Sequence, residues 1–127
     1  MIGYCSIAGD ILHYGHIRYL KKCRSMCFIL IVGVMTDRAI KKYKGQSPIM
    51  TYKERVEIIQ AIKYVDRVVP QNELSFLPNL LKYRPDRVFD TKEHSRPLYT
   101  MLLKRTKGIS SSIIKERIIE AGRRRTR

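Results

Sequence analysis

The sequence predicts a doubly wound α/β fold, with a five-stranded parallel sheet and helices on both faces, and two observations predict it. Apolar, strand-like segments alternate with amphipathic, helix-like segments from the first residue onward, which is the pattern of parallel strands joined by helical crossovers. The run Phe28-Ile29-Leu30-Ile31-Val32-Gly33-Val34 is almost continuously aliphatic, as a strand covered on both faces must be. Crossovers between parallel strands are right-handed, so such a sheet carries its ligand cleft at the carboxyl ends of its strands.

Taken in order, Met1 to Ile7 reads as the first strand. A tight turn then leads to a helix from about Gly15 to Ser25, with Ile17, Leu20 and Cys23 on one face. Phe28 to Val34 is the buried central strand, and Thr36 or Asp37 caps a short helix after it. Thr51 and Glu54 have the spacing of a capping box, and Val56, Ile59 and Ile62 mark the apolar stripe of a helix ending near Tyr64. Arg67-Val68-Val69 and Arg87-Val88-Phe89 read as the third and fourth strands. Between them lies a leucine-rich helical stretch in which Pro78 limits where the helix begins. Tyr99 to Leu103 is a fifth strand, and Ser110 to Glu120 a last helix with Ile113, Ile114, Ile118 and Ile119 on its buried side.

A chain of 127 residues has the length of one ordinary domain, here 1–127 with a basic tail from about residue 121. Its longest apolar run, Cys27 to Met35, is too short to span a bilayer as a helix, so no membrane insertion is expected. Three cysteines, an odd number without a signal-peptide pattern, point to free thiols and a cytoplasmic, reducing setting. Cys23 and Cys27 would share a helical face, but no further ligands complete a zinc site, and no protein-bound metal is expected. The net charge of +15 calls for an anionic partner without choosing among nucleic acid, an anionic surface and a nucleoside triphosphate.

The choice is made by a local constellation. His13 and His16 fall where the first strand hands over to the first helix, at the edge of the expected cleft, with Gly15 between them to let the backbone approach a ligand. A lone histidine more often packs or caps than reacts. Two of them at a helix start, three residues after Asp10, make an anion site whose imidazoles can donate hydrogen bonds to a phosphoryl group gaining charge. Gly108-Ile109-Ser110-Ser111-Ser112, opening the last helix, is a second anion site by the same reasoning.

The run Asp10-Ile11-Leu12-His13-Tyr14-Gly15-His16 resembles the first signature of the cytidylyltransferase-like nucleotidyltransferases, and Arg105-Thr106-Lys107-Gly108-Ile109-Ser110-Ser111 resembles their last. Between them Tyr43-Lys44-Gly45, Pro48-Ile49-Met50, Glu54-Arg55 and Tyr64-Val65-Asp66 are similar to the family's middle region, so the resemblance spans about residues 4 to 120. It implies a Rossmann-like nucleotidyltransferase that moves CMP from CTP to a phosphorylated small-molecule acceptor such as glycerol 3-phosphate, phosphocholine or phosphoethanolamine, releasing pyrophosphate. Magnesium would accompany the nucleotide, and the enzyme would be a homodimer. His13, His16, Lys44 and Arg105 would be catalytic. Ala8, Gly9, Asp10, Gly15, Thr106, Gly108, Ile109, Ser110 and Ser111 would bind nucleotide, and Arg55 and Asp90 the acceptor. In Phe89-Asp90-Thr91-Lys92-Glu93-His94, Asp90 stands where relatives carry an acidic pair.

Two alternatives stay open. Adenylyltransferases of the same fold share the histidine pair and the Gly-x-Ser-Thr-Thr ending, although Arg105-Thr106 before Lys107-Gly108 favours cytidine. A catalytically inactive protein that binds nucleic acid or another anion would use the same charge, with affinity falling steeply in salt. The localised site makes nucleic acid the weaker expectation.

Overall fold

Alternation of side chains along the strands decides which helix covers which face. The computed structural model describes residues 1–91 and 100–125. Its elements run β1 (Ile2–Ile7), α1 (Tyr14–Ser25), β2 (Ile29–Met35), α2 (Asp37–Lys44), α3 (Tyr52–Gln60), β3 (Arg67–Gln71), α4 (Leu77–Tyr83), β4 (Arg87–Asp90), β5 (Thr100–Leu102) and α5 (Ser111–Arg125). The five strands pair in the order β3-β2-β1-β4-β5, all parallel. Cys5 and Ile7 of β1 join Leu30, Val32 and Val34 of β2 in a core closed by Leu20 and Cys23 of α1 and Ile59 of α3. Tyr4, Ile31, Val69 and Val88 point the other way and pack on Phe76 and Leu80 at α4. Helices therefore cover both faces, as the doubly wound reading requires. The chain reverses its direction of travel across the sheet between β1 and β4, and the cleft belongs at the carboxyl ends of those two strands.

Helix starts follow the sequence closely. Thr36 Oγ1 accepts the Ala39 N–H at 3.2 Å, and Thr51 and Glu54 close a reciprocal capping box, with the Thr51 N–H donating to Glu54 Oε1 at 2.8 Å. Pro78 sits in the first turn of α4, where a missing N–H breaks no helical bond.

Ends and faces depart from the sequence reading in four places. β2 begins at Ile29, and Phe28 is 77% exposed because it lies at the amino-terminal rim, ahead of the first β1–β2 pair, Ile2 with Ile29. α3 stops at Gln60 instead of Tyr64. Beyond it Ala61, Ile62 and Val65 donate to carbonyls three residues back, tight turns that keep Ile62 and Val65 on the core while aiming Asp66 at β2. α1 ends at Ser25, so Cys27 lies outside the helix that holds Cys23, and all three cysteines are free and buried. α5 has no buried residue, and Ile118 and Ile119, expected inside, are 59% and 55% exposed. The helix is anchored through its first turn, where Ser111 and Lys115 reach Asp10, and its exposure rises from Glu116 onward. Arg123–Arg125 are its last turn, where cations suit the helix dipole, and not an extended tail. Of the expected fifth strand, Thr100–Leu102 is observed and Tyr99 lies outside the described residues.

Gly33 is required by packing. A Cβ there would lie 2.0 Å from Tyr4 Oη, a hydroxyl that donates to Gln71 Oε1 and accepts from Asn79 Nδ2 at 2.8 Å. Gly33→Ala is expected to lose about 1–3 kcal/mol by overpacking, several degrees in thermal denaturation. A melting temperature equal to that of the parent would show that the phenol can yield without loss.

Candidate active site

The β1–α1 turn is shaped by two left-handed residues, Gly9 (φ 73°) and Ile11 (φ 50°). The first is a glycine, which tolerates this; the second is β-branched and strained there, so its surroundings must hold it. They do so through Asp10. Its carboxylate is 6% exposed and accepts the N–H groups of Ile49 at 3.0 Å and Met50 at 2.9 Å, and pairs with Lys115 Nζ at 3.1 Å. Ser111 Oγ donates to the Asp10 carbonyl. Burial opposes the charge on Asp10, but the two backbone N–H groups and Lys115 outweigh it and keep the carboxyl below its usual range. Asp10 thus ties three segments together: the turn itself, the loop after Lys44, and the first turns of α5.

His13 is the N-cap of α1, and the two histidines brace each other through the backbone. His13 Nδ1 accepts the Gly15 N–H at 3.0 Å, and His16 Nδ1 accepts the His13 N–H at 3.2 Å, with the ring centroids 4.0 Å apart. An Nδ1 that accepts carries no proton, so each neutral ring carries its hydrogen on Nε2. Burial disfavours protonation of His13. Burial, then the charges of His13, Lys44 and Arg105, push His16 down to about 4. Both rings are therefore neutral donors at neutral pH. Gly15 also serves this arrangement: a Cβ there would meet the His13 ring at 2.7 Å.

The lowered His16 value has a definite consequence for stability. Its folded pKa lies below its ordinary 6.5, so its contribution is complete above about pH 6.5 and is lost as pH falls towards about 4. Urea midpoints measured between pH 7 and pH 4 should fall more steeply for the parent than for His16→Gln, which keeps a capping acceptor without the titration. Parallel curves would contradict this.

A cleft of about 320 Å³ opens at the carboxyl ends of β1 and β4. Of the residues read from the sequence, His13, His16, Lys44, Arg105, Ala8, Gly9, Asp10, Gly15, Thr106, Ile109, Ser110, Ser111 and Asp90 line it. Lys44 ends α2, whose C-cap Gly45 is left-handed at φ 77°. Arg105 Nε donates to Thr91 Oγ1 at 3.4 Å. Ser110 Oγ accepts the Ile113 N–H at 3.1 Å and Ser111 Oγ is engaged by Asp10, so these two hydroxyls serve the fold, while Ser110, Ser111 and Ser112 line the cleft where α5 starts. Gly108 stands back from the lining and supplies a left-handed turn (φ 81°).

Arg55, expected at the acceptor, is fully buried. Its guanidinium donates to the carbonyls of Met50 (3.1 Å), Met35 (2.6 Å) and Ala8 and pairs with Asp37 at 2.6 Å, so it braces the cleft from behind and meets no solvent. The wall also holds residues that the sequence reading did not select, among them Ser6, Tyr19, Gln71, Phe76 and Lys115. Lys115 was within reach, since it follows Ser111 by four residues and so shares its helix face. Tyr19 follows His16 by three residues on α1, while Ser6, Gln71 and Phe76 come from strand ends and a loop that only the topology brings together. Lys92, Glu93 and His94 lie outside the described residues.

Neutral N–H donors, cationic side chains and one helix start surround the same space, which suits a polyphosphate. Comparison with known proteins agrees. Residues 10–89 match the family model described as cytidylyltransferase-like. The chain is 35% identical over 130 residues to the FAD synthase of Pyrococcus horikoshii, covering 87% of each. It is 49% identical over 67 residues to the ethanolamine-phosphate cytidylyltransferase of Mus musculus, covering 53% of this chain and 16% of that protein. A lipopolysaccharide core biosynthesis protein from Thermoplasma volcanium has the same fold, with a TM-score of 0.66 over 96% of this chain and 88% of that one at 24% identity. Among the described residues no helix is long and apolar enough to cross a membrane. With its motifs, sheet order and cleft in agreement, the chain belongs to the cytidylyltransferase-like family and is a nucleotidyltransferase.

Proposed function

We propose that the enzyme transfers CMP from CTP to a phosphorylated small molecule and releases pyrophosphate. The observation that carries this reading is the convergence of His13, His16, Lys44 and Arg105 on one cleft closed by the start of α5. In the proposed reaction an oxygen of the acceptor phosphate attacks the α-phosphorus in line while the bond to the β-phosphate breaks. The attacking oxygen is already ionised at neutral pH, so no general base is needed. His13 and His16 donate from Nε2 to oxygens that gain charge at the pentavalent phosphorus, and Lys44 and Arg105 neutralise the phosphates. Ser110–Ser112 offer backbone N–H groups to the polyphosphate.

A magnesium ion fits the oxygen donors of the triphosphate, and among the described residues no three His, Cys, Asp or Glu side chains gather into a cage of their own. When bound it would neutralise the departing pyrophosphate. A homodimer in a reducing cytoplasmic setting completes the proposal, and sedimentation or light scattering would test the dimer.

A second reading, AMP transfer from ATP, is favoured by the near full-length match to an FAD synthase. Incubation with CTP or ATP, magnesium and a panel of phosphorylated acceptors, read by pyrophosphate release and product mass, separates the two. Turnover with CTP is expected. Product from ATP alone would reverse the order, and inactivity throughout would reject both.

A further inference from the structure

Beside the cleft lies a second hollow of about 720 Å³, lined by Thr36, Arg38, Lys42, Asn72, Glu73 and Ser75 among others. Tyr43 and Leu74 line both spaces, so the hollow adjoins the cleft on the side of Lys44, the residue next to Tyr43. Arg38 and Lys42 are four residues apart on α2 and therefore share one helix face. Like charges so placed repel, and neither forms an ion pair with a protein carboxylate among the described residues. Neighbouring acids do not resolve this: Asp37, next to Arg38 in the chain, is committed to Arg55, and Glu73 is one acid against two cations in the hollow. A pair of exposed, mutually repelling cations that line a concavity beside a phosphate-transfer site fits an anionic ligand group.

We propose that the acceptor carries, besides its reacting phosphate, a second anionic group, and that Arg38 and Lys42 hold it in this hollow. The proposal rests on the nucleotidyl-transfer reading and deepens it by naming the acceptor's class. With the reacting phosphate at Lys44, the rest of the acceptor passes Tyr43 and Leu74 and ends against the two cations. A phosphomonoester ending in an ammonium group would meet repulsion there, and the aromatic side chain lining the hollow, Tyr43, is one face and not a cage.

The test compares acceptors that differ in the sign of their far end: 2-phosphoglycolate and a hexose 1,6-bisphosphate against phosphoethanolamine, each with magnesium and the active nucleoside triphosphate. The anionic acceptors are expected to show kcat/KM about tenfold or more above phosphoethanolamine, the scale of a charge-assisted hydrogen bond. In Arg38→Gln/Lys42→Gln their KM should rise by about the same factor, while the KM for the nucleotide stays put, and added salt should raise KM in the parent more than in the variant. Preference for phosphoethanolamine, an unchanged acceptor KM in the variant, or a raised KM for the nucleotide would overturn the proposal. Turnover without the anionic preference rejects the second anionic group alone. Absence of turnover with every acceptor rejects the nucleotidyl-transfer reading and this proposal with it.

Discussion

Replacing His16 by alanine is expected to lower turnover about 10²–10³-fold, the usual effect of removing one preorganised donor from a developing negative charge. The loss should fall on kcat more than on the nucleotide KM, because the Nε2 hydrogen gains most when the phosphorus becomes pentavalent. His16 also braces the His13 N–H through Nδ1 at 3.2 Å, so alanine removes a cap along with a donor. His16→Gln separates the two roles, since a glutamine at this position can still accept the backbone N–H. Full turnover in both variants, measured by pyrophosphate release, would remove His16 from the reaction. Recovery in glutamine alone would assign it to the fold.

Arg55→Met should cause the largest loss of stability of any single change considered. The side chain is fully buried, bonds to the carbonyls of Ala8, Met35 and Met50, and pairs with Asp37. Methionine keeps much of the volume but leaves three carbonyls and one carboxylate without their donor. The Asp37 side chain is 47% exposed and can turn to water, so the loss rests on the carbonyls: a buried acceptor left without its donor costs about 1–3 kcal/mol, and three of them together about 3 kcal/mol or more. On a domain of this size that corresponds to a fall in melting temperature of roughly 10 °C or more. Calorimetry checks it, and a shift of only a degree or two would mean that water reaches these carbonyls once the guanidinium is gone. Activity should fall too, because Ala8 lines the cleft and Met35 ends β2 beside it.

How much of this was legible in the sequence depends on the kind of signal. Helix starts were, because a capping side chain and the N–H it serves lie within three residues: Thr36, Thr51 with Glu54, and Pro78 in the first turn of α4 all stand where local chemistry puts them. The central strand was legible too, because a nearly continuous aliphatic run is a local signal. Helix ends were less so. The apolar stripe of α3 continues through Ile62 and Val65 although the helix stops at Gln60, since a tight turn can keep the same side chains on the core. α5 misled for the opposite reason: its isoleucines have helical spacing, but no element of the described chain covers Ile118 and Ile119.

At the site, the motif residues that face the cleft came from the sequence, while Arg55 shows the limit of a motif. A guanidinium that grips a ligand and one that grips carbonyls have the same sequence, and only the surroundings distinguish them. Asp10 makes the same point, since its carboxylate binds the loop after Lys44 and α5. Lys115 follows from its helical spacing to Ser111 once that face is known to meet a buried acid.

The reciprocal bracing of the two histidines bears on how an active site recovers between cycles. With each Nδ1 occupied by a backbone N–H and each ring uncharged at neutral pH, neither imidazole has a vacant basic nitrogen towards its own helix start. Under the proposed reaction they lend their Nε2 hydrogens and keep them. No proton has to return from solvent after product leaves, and departure of the two products alone restores the starting site.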